Sequence, residues 1–427
     1  MPNELSLPPG APGLKLWFTD QPDLSDGPID VSDYLSAEKL ELEREYIFRN
    51  AWLYVGRVTE IPSPNGFITR DINSLRASII VTRDGNGKLS AFHNVCRHRQ
   101  KKLVLEREGT APSFVCSMHG WAYGRDGGLR SIPDEGQFPG IDKSNCGLAK
   151  IHVDTWRGFI FVHFSEPEET LREFLGEVAD FLDSTPFEDF PLAMGSEWTT
   201  DANWKLVRDA NMETYHAPHL HRRSTMGTVF NPLNPHNRPI YAKTFKRHRM
   251  FSISRGTPVS NVPRHLSKKS VLSRATSFVG LKFDFDPSAP IPVYANPGNG
   301  DAWLFDLWFI WPNMTINVRN RQIVTAIHEP ITADKSLTRT TTYVPQVGNA
   351  QHMFARMAQL LGNQNVISED AYATEATQIA MLQRAFPDIY LADSEMLIRH
   401  AQIVDAAAME KGAARVVARM AASKGVL

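Results

Sequence analysis

Two pairs of metal-binding side chains stand out in the first third of the chain. Cys96 and His98 are separated by one residue. Seventeen residues separate His98 from the second pair, Cys116 and His119. Zinc is the simplest ion for two thiolates and two imidazoles, but structural zinc loops more often pair two ligands of a kind. Each half here supplies one of each, which favours a two-iron, two-sulfur cluster with both thiolates on one iron and both imidazoles on the other.

A second group of candidate ligands is formed by His216, His219 and His221, three histidines within six residues. Imidazoles near a helix end can simply interact favourably with the helix dipole. Beside a cluster that delivers single electrons, an iron site with two histidines and one carboxylate is the better interpretation. In a regular helix His216 and His219 share a face, whereas pairing His216 with His221 requires a break. Pro218 is a residue that can provide this break.

The third ligand of such an iron site must be a carboxylate from another segment. Glu369 and Asp370 form an acidic pair in a helical region, and Gln378 follows nine residues after Glu369. Adjacent helical residues point about 100° apart, so only one of the pair can face a metal. In the alternative interpretation, the acidic pair lies near a helix start and only interacts favourably with the helix dipole, with Ser368 as the helix cap.

The segments that must position these residues begin with a β-rich part. Residues 1–35 are rich in Pro, Gly and Asp and predict a surface arm, and the pattern over 36–50 predicts a short amphipathic helix. Between residues 52 and 164, short strand-like runs alternate with turn signals, which predicts a small all-β domain.

The remaining part mixes helices and strands. Helical patterns cover 170–182 and 203–217, and the chain after 350 is helical almost throughout. Four closely spaced strand patterns between 302 and 345 predict an antiparallel meander. A β module followed by an antiparallel sheet with flanking helices is an α+β arrangement.

Composition excludes several classes of protein. Hydrophobic residues make up 42% of the chain, charged residues 22%, and the net charge is −1, so neither nucleic acid nor an anionic membrane is an expected partner. The start of the chain does not resemble a signal peptide, and no apolar run is long enough for a membrane helix. The three cysteines do not form a disulfide framework. We expect a cytoplasmic protein.

The segment 94–129, with Cys96-Arg97-His98 and Cys116-Ser117-Met118-His119-Gly120-Trp121, resembles the Rieske domain of ring-hydroxylating oxygenase large subunits. The resemblance implies a 2Fe-2S cluster. It places Cys96 and Cys116 on one iron, and His98 and His119 on the solvent-facing iron.

The segment 203–221 is similar to the catalytic domain of the same family. In the family pattern, two residues of any type separate an acidic residue from a first histidine, and four more separate this histidine from a second one. Glu213, His216 and His221 fit this pattern. The resemblance therefore selects His216 and His221 as ligands of a mononuclear Fe(II), with His219 as the alternative ligand. From the acidic pair it selects Asp370.

The resemblance gives Glu213 a role in catalysis. Relatives usually carry Asp at this position, which contacts an iron-site histidine and the second cluster histidine of a neighbouring subunit. That cluster histidine is His119 here. The resemblance thus implies a homotrimer, with or without a small β subunit, in which electrons cross between subunits.

The implied fold is α+β: an all-β Rieske domain plus a helix-grip (START-like) catalytic domain, whose antiparallel sheet wraps a long C-terminal helix. The expected organisation is an N-terminal arm and helix packing on the catalytic domain (1–44), the Rieske domain (45–164) and the catalytic domain (165–427).

The implied activity is that of a terminal oxygenase. Electrons from NAD(P)H reach it through a separate reductase, with or without a ferredoxin, and O₂ is used to hydroxylate an aromatic or other hydrophobic compound. The sequence carries no Gly-X-Gly-X-X-Gly nicotinamide fingerprint, consistent with a separate reductase. One alternative is a monooxygenase or demethylase of the same family acting on a non-aromatic or quaternary ammonium substrate. A non-catalytic Rieske electron-transfer or ligand-binding protein is the alternative from another class.

Overall fold

The structure, a computed structural model, describes residues 24, 27–225, 234–255, 290–300, 302–346 and 350–424. Contacts divide the chain into two compact units. The β-rich unit comprises Glu41–Gly176 and Ala408–Leu427, and the α+β unit comprises Met1–Leu40 and Glu177–Ala407. The expected boundaries after residues 44 and 164 stay predictions, and most of the predicted arm lies outside the described residues. Within the described ranges, no helix has both the length and the apolar character needed to cross a bilayer.

A short strand and a helix open the described chain: β1 (Ile29–Asp30) and α1 (Ala37–Tyr46). The hydroxyl of Ser36 accepts a hydrogen bond from the Lys39 amide (3.0 Å), which satisfies one of the amides that a helix start leaves without a partner. The prediction of a helix over 36–50 is therefore confirmed in type, although the α-helix ends at Tyr46.

The β-rich unit consists mainly of short antiparallel strands, as predicted for this part of the chain. The strands are β2 (Leu53–Arg57), β3 (Gly66–Ile72), β4 (Ala77–Arg83), β5 (Leu89–His93), β6 (Glu108–Thr110), β7 (Ser113–Val115), β8 (Ala122–Gly124), β9 (Leu129–Ser131), β10 (Lys150–Trp156) and β11 (Phe159–His163). A seven-stranded sheet has the order β2-β11-β10-β5-β4-β3-β6, and β7-β8-β9 form a smaller sheet. Their shared core contains Cys96 and Cys116 among Phe92, Phe114 and Tyr123.

The α+β unit is built around a second seven-stranded antiparallel sheet. Its strands are β12 (Leu192–Thr200), β13 (Tyr241–Thr244), β14 (Arg249–Ser254), β15 (Trp303–Ile310), β16 (Met314–Arg319), β17 (Gln322–Thr332) and β18 (Lys335–Val344), and β19 (Asp388–Ile389) pairs with β1. The sheet order is β12-β18-β17-β16-β15-β14-β13. Strands β15 to β18 are consecutive neighbours, which confirms the predicted meander.

The helices after α1 differ from their predicted extents. They are α2 (Leu171–Leu175), α3 (Glu177–Leu182), α4 (Trp204–Ala210), α5 (Ala217–Leu220), α6 (Arg222–Thr225), α7 (Ala350–Leu382) and α8 (Met396–Lys424). The predicted helix over 170–182 is interrupted at Gly176, whose φ of +50° suits glycine.

The prediction of one helix over 203–217 was wrong, because α4 ends at Ala210. The amide of Asn211 donates to the Arg208 carbonyl and that of Met212 to the Asp209 carbonyl, so the last turn tightens before the helix stops. Pro218 lies in the first turn of α5, where a missing amide hydrogen costs little. The break between the histidines and α4 therefore precedes Pro218.

A buried ionic network fixes α4 within the α+β unit. Arg208 donates from Nε to Asp209 Oδ1 (2.9 Å) and from Nη1 to Asp405 Oδ2 (2.6 Å). Tyr34 donates to the other oxygen of Asp209 (2.8 Å), and Trp311 Nε1 donates to the other oxygen of Asp405 (2.9 Å). The side chain of Arg208 is 2% exposed, so its charge needs both carboxylates.

Replacing Asp405 should strongly destabilise the α+β unit. Asp405→Ala leaves Arg208 with one carboxylate in a buried setting, where loss of one partner costs about 3–5 kcal/mol. The free energy of unfolding can be measured with urea, following tryptophan fluorescence. Asp201→Ala is the matched control, because it removes an exposed pair with Lys335 and should cost about 1 kcal/mol or less. Equal losses in both variants would contradict a stabilising role for the network.

Candidate metal centres

The two cysteine–histidine pairs lie on loops with the same backbone hydrogen bonds. In the first loop the Cys96 carbonyl accepts a hydrogen bond from the Gln100 amide, and the Cys96 amide donates to the Lys101 carbonyl. In the second loop the Cys116 carbonyl accepts from the Gly120 amide, and the Cys116 amide donates to the Trp121 carbonyl. The residue four positions after the cysteine has positive φ in both loops, 58° at Gln100 and 74° at Gly120. A Cβ on Gly120 would also lie 2.9 Å from Pro133 Cγ, so glycine suits this position.

The four donors of these loops are arranged as a buried pair and a more accessible pair. Cys96 and Cys116 are buried, whereas His98 is partly exposed and His119 is exposed. The two imidazole rings lie 4.6 Å apart between centroids, and His98 stacks on Trp121 at 4.8 Å. Cysteines inside and histidines outside match the arrangement expected for a Rieske cluster.

The spacing of the donors also bears on zinc. Among the residues that the structure describes, no three of these four donor atoms lie within 4.8 Å of one another. A single tetrahedral zinc ion holds its ligands about 2.0–2.3 Å from one centre, and all four would then be closer together. Two separated pairs fit a two-iron cluster better.

Hydrogen-bond donors surround the buried sulfur atoms. Burial raises the pKa of the Cys116 thiol, but backbone amides of Met118 and His119 stabilise its thiolate, and the net pKa is lowered. Tyr123 Oη lies 3.3 Å from Cys96 Sγ and accepts from the Arg97 amide (2.9 Å). Burial and the neighbouring Cys96 raise the pKa of Tyr123, so it keeps a proton to donate to the sulfur. Such hydrogen bonds help set a cluster's potential.

The second centre is formed by three ligand atoms of the α+β unit that converge on one point. His216 Nε2 lies 3.1 Å from His221 Nε2, and Asp370 Oδ1 lies 2.9 Å from His221 Nε2 and 3.5 Å from His216 Nε2. Ligands about 2.1 Å from a metal and at right angles to one another are about 3.0 Å apart. Asp370 Oδ1 is buried and makes no hydrogen bond of its own. These residues therefore fit an iron held by two histidines and one carboxylate.

The elements around the triad explain which histidines meet. His216 is the residue before α5 and His221 the residue after it, so one turn of helix brings both imidazoles to the same side. His219 lies on the exposed side of α5 and is not part of the triad. Asp370 comes from the middle of α7.

Each triad histidine has a carboxylate on its other ring nitrogen. Glu213 contacts Nδ1 of His216 and also accepts from the His216 amide (3.1 Å). Glu369 accepts from Nδ1 of His221 (2.8 Å) and from the Ser224 hydroxyl (2.6 Å). A carboxylate on Nδ1 fixes the tautomer, so both Nε2 atoms present lone pairs to the metal position.

The contact of Glu369 with His221 is a feature of the candidate site that the sequence reasoning missed. The acidic pair was expected to supply one ligand, and the 100° between adjacent helical residues indeed separates the two side chains. Asp370 faces the triad, while Glu369 binds His221 from behind. Its partner Ser224 gave no signal in the sequence. The idea that Ser368 caps a helix was wrong, because Ser368 lies inside α7 and donates to the Gln364 carbonyl.

The charge at the triad suits a cation. Burial alone lowers the pKa of His221, but the carboxylates of Asp370 and Glu369 outweigh it, and the net pKa is raised. The same negative potential favours a divalent ion between the three ligands.

A cavity of about 270 Å³ opens beside the triad. Its floor is one face of the second sheet, and α4 and α7 contribute further residues. Because side chains of a strand alternate between faces, the lining residues of β12 and of β16 to β18 are alternate residues over part of each strand. These residues are Ser196, Trp198, Thr200, Thr315, Asn317, Arg319, Val324, Ala326, His328, Thr338, Thr340 and Thr342.

Comparisons with known proteins define the class of this protein as an iron oxygenase subunit. Residues 51–151 match the Rieske [2Fe-2S] domain, and residues 187–411 match the ring hydroxylating alpha subunit (catalytic domain). The second match covers more than half of the chain. The chain therefore belongs to the ring-hydroxylating oxygenase alpha subunits, whose two domains imply a 2Fe-2S cluster and a mononuclear iron. The roles of the individual ligands stay predictions.

Curated relatives match only part of the chain. The large subunit of anthranilate 1,2-dioxygenase from Acinetobacter baylyi is 35% identical over 195 residues, which is 44% of this chain and 41% of that subunit. The glycine betaine monooxygenase oxygenase subunit of Pseudomonas aeruginosa is 32% identical over 188 residues, 44% of this chain and 43% of the relative. The matched stretches span less than half the length of either relative.

A solved structure confirms the fold along most of the chain. The quaternary ammonium Rieske monooxygenase CntA, in complex with an inhibitor, superposes with a TM-score of 0.71 and 20% identity, over 92% of this chain and 99% of that one. Identity this low shows the fold alone. The predicted class, a Rieske domain plus an antiparallel catalytic domain with a C-terminal helix, is confirmed.

Metal analysis should show two kinds of iron. Protein purified without oxygen should contain about three irons per chain, two of them accompanied by acid-labile sulfide, because four mixed donors hold a cluster and three hold a single ion. Zinc without sulfide would contradict the assignment of Cys96, His98, Cys116 and His119.

Loss of a triad ligand should remove only the single iron. His216→Ala, His221→Ala and Asp370→Ala should each bring the iron content down by about one per chain, with the visible spectrum of the cluster unchanged. His219→Ala is the matched control and should keep all iron.

Glu369→Ala should bind iron more weakly by about 10- to 100-fold, measured by competition with a chelator, since it only orients His221. Iron lost in His219→Ala but kept in His221→Ala would show that the ligand pair is wrong.

Proposed function

We propose that this chain is the terminal oxygenase component of a multicomponent system that hydroxylates a hydrophobic organic substrate. The observation that carries the proposal is the triad of His216, His221 and Asp370 at the wall of a cavity large enough for a small molecule. Iron bound there would supply O₂ activation, with electrons from the Rieske cluster. A protein that only transfers electrons or binds a ligand needs no second metal beside a cavity.

The side chains around the triad hold the reaction geometry. Glu213 and Glu369 fix the two imidazoles, and among the described residues Asp370 is the one carboxylate that reaches the metal position. A site with two histidines and one carboxylate leaves positions for O₂ and substrate. Apolar residues such as Phe251 and Leu307 line the cavity beyond the triad and exclude water from it.

The cavity walls support a hydrophobic substrate over a quaternary ammonium compound. Among the described residues that line the cavity, the acidic side chains are Glu213 and Asp370, and both belong to the triad or contact it. On the described walls, a cationic substrate would find no carboxylate other than these two. Both monooxygenation and dioxygenation remain compatible with the same ligands.

The proposed partners are a separate reductase, with or without a ferredoxin, and two further copies of this chain in the cytoplasm, with or without a small β subunit. In a cyclic trimer with head-to-tail contacts, Glu213 would contact His119 of the next subunit. Two features support this path. Glu213 already binds one triad histidine, and His119 is exposed.

Glu213→Gln should lower product formation while keeping the iron. The amide keeps the shape of the side chain but not its charge, and loss of such a partner of a ligand histidine typically costs about 10- to 100-fold in activity. Product carrying ¹⁸O from ¹⁸O₂ can be followed with a compatible reductase, NADH and a panel of aromatic compounds and hydrophobic acids. Reduction of the cluster by the reductase should be nearly unchanged.

Glu197→Gln provides the matched control, because Glu197 lies on β12 next to two cavity-lining residues but pairs with Arg339 on the other face. Its activity should stay at the wild-type level. Normal single-turnover oxidation of the cluster in Glu213→Gln, or an active monomer in sedimentation, would refute the path between subunits. Absence of ¹⁸O in every product would refute the oxygenase function.

A further inference from the structure

The cavity carries a cationic side chain, Arg319, that pairs with no carboxylate of the described residues. Arg319, at the end of β16, donates from Nε to Asn317 Oδ1 (3.0 Å), and its guanidinium lies 5.0 Å from the centre of the Phe305 ring. In the described part of the chain, no carboxylate forms an ion pair with it. Arg339, by contrast, pairs with both Glu197 and Glu329.

Among the described residues, no acidic side chain offsets the charge of Arg319. Burial lowers the pKa of its guanidinium to about 10, and no carboxylate in the described ranges counteracts this shift. The side chain therefore stays cationic at neutral pH, while its surroundings disfavour the charge. Arg319 is partly buried, and a cation in such a setting is stabilised when an anion binds beside it.

The triad lies towards one end of the cavity. Helix α7 is aligned with β12 and the segment after it, because Gln364 donates to Ser196 (3.1 Å) and Gln378 accepts from the Asn203 amide (2.9 Å). Asp370 lies on α7 between these two contacts. Along the direction of β12, Asp370 therefore lies at the height of Trp198 and Thr200.

Arg319 lies towards the other end. Trp198 pairs with Thr338 of β18, and Thr338 pairs with His328 of β17, so His328 belongs to the triad end. Arg319 pairs with Gln322, at the opposite end of β17. His328 is six positions after Gln322, which is about 20 Å along an extended strand.

The wall between the two ends is largely apolar. Phe251, Ile253, Leu307, Val324 and Ala326 line it, with Thr340 and Thr342 on the side of β18. An apolar molecule can occupy this stretch without leaving polar groups unpaired.

We propose that the substrate is an elongated organic acid, with its carboxylate on Arg319 and its apolar body reaching towards the triad. This inference rests on the proposed oxygenase function. A guanidinium presents two parallel N–H donors to a carboxylate. Because Asn317 uses its Oδ1 to hold Arg319, its side-chain NH₂ is available as a further donor.

Binding of matched acids and amides tests this inference without turnover. The probes are ω-phenylalkanoates of increasing chain length and the corresponding primary amides, titrated by calorimetry into anaerobic, iron-loaded wild-type protein. The acid should bind about 10- to 100-fold more tightly than its amide at the best chain length, as expected for charge-assisted hydrogen bonds.

Variants show whether Arg319 causes the preference. Arg319→Gln should bind acid and amide equally within about twofold, whereas Arg319→Lys should keep part of the preference because it keeps the charge. Arg321→Gln is the matched control, since Arg321 is exposed in the turn after β16 and does not line the cavity. Its acid preference should equal that of the wild type.

The outcomes separate this inference from the oxygenase function. Equal affinity of acid and amide in the wild type, no binding of any acid, or a full preference in Arg319→Gln would overturn the proposed acid site. Acid binding that depends on Arg319, with no ¹⁸O product from any bound acid, would leave the site standing and count against the oxygenase function. Oxidation of neutral compounds alone would support the oxygenase function and count against the proposed acid site.

Discussion

The interaction on which the α+β unit depends is that of one buried guanidinium with two carboxylates. Arg208 of α4 is neutralised by Asp209 on the same helix and by Asp405 on α8. A second buried arginine, Arg249 of β14, has its pKa lowered to about 9 by burial and by the charge of Arg208. Because these charges cannot move apart without losing their partners, helix α4 is fixed against both the sheet and the C-terminal helix. The chain leaves α4 only six residues before His216.

Both candidate metal centres hold their ligand residues through hydrogen bonds to polar atoms other than the ligand atom. His216 and His221 are oriented by Glu213 and Glu369 through Nδ1. In the β-rich unit, the tight loops that hold Cys96 and Cys116 are closed by backbone hydrogen bonds to the cysteines themselves. Rigid surroundings allow the ligands to stay in place while one side of the triad remains open to the cavity.

Much of this arrangement could be predicted from the sequence, because ligand spacing and strand alternation are local. The pairs Cys96/His98 and Cys116/His119, the meander and the expectation that only one of Glu369 and Asp370 can face a metal follow from short patterns. The choice of Asp370 came from the family resemblance. The end of α4 could not be predicted, since it depends on how Asn211 and Met212 hydrogen-bond back into the helix. The roles of Glu369 and Arg319 require knowledge of which segments meet. Only the register of β16 with β15 and β17 places Arg319 in the cavity.

The alternation within β16 has a consequence for how specificity can change during evolution. Met314, Ile316 and Val318 are buried on one face, while Thr315, Asn317 and Arg319 line the cavity on the other. Insertion of a single residue would exchange the two faces and place polar groups in the apolar core. Point substitution on the cavity face leaves the core untouched. Related enzymes with this sheet can therefore diverge in substrate through a small set of alternate positions, while the opposite face keeps the fold constant.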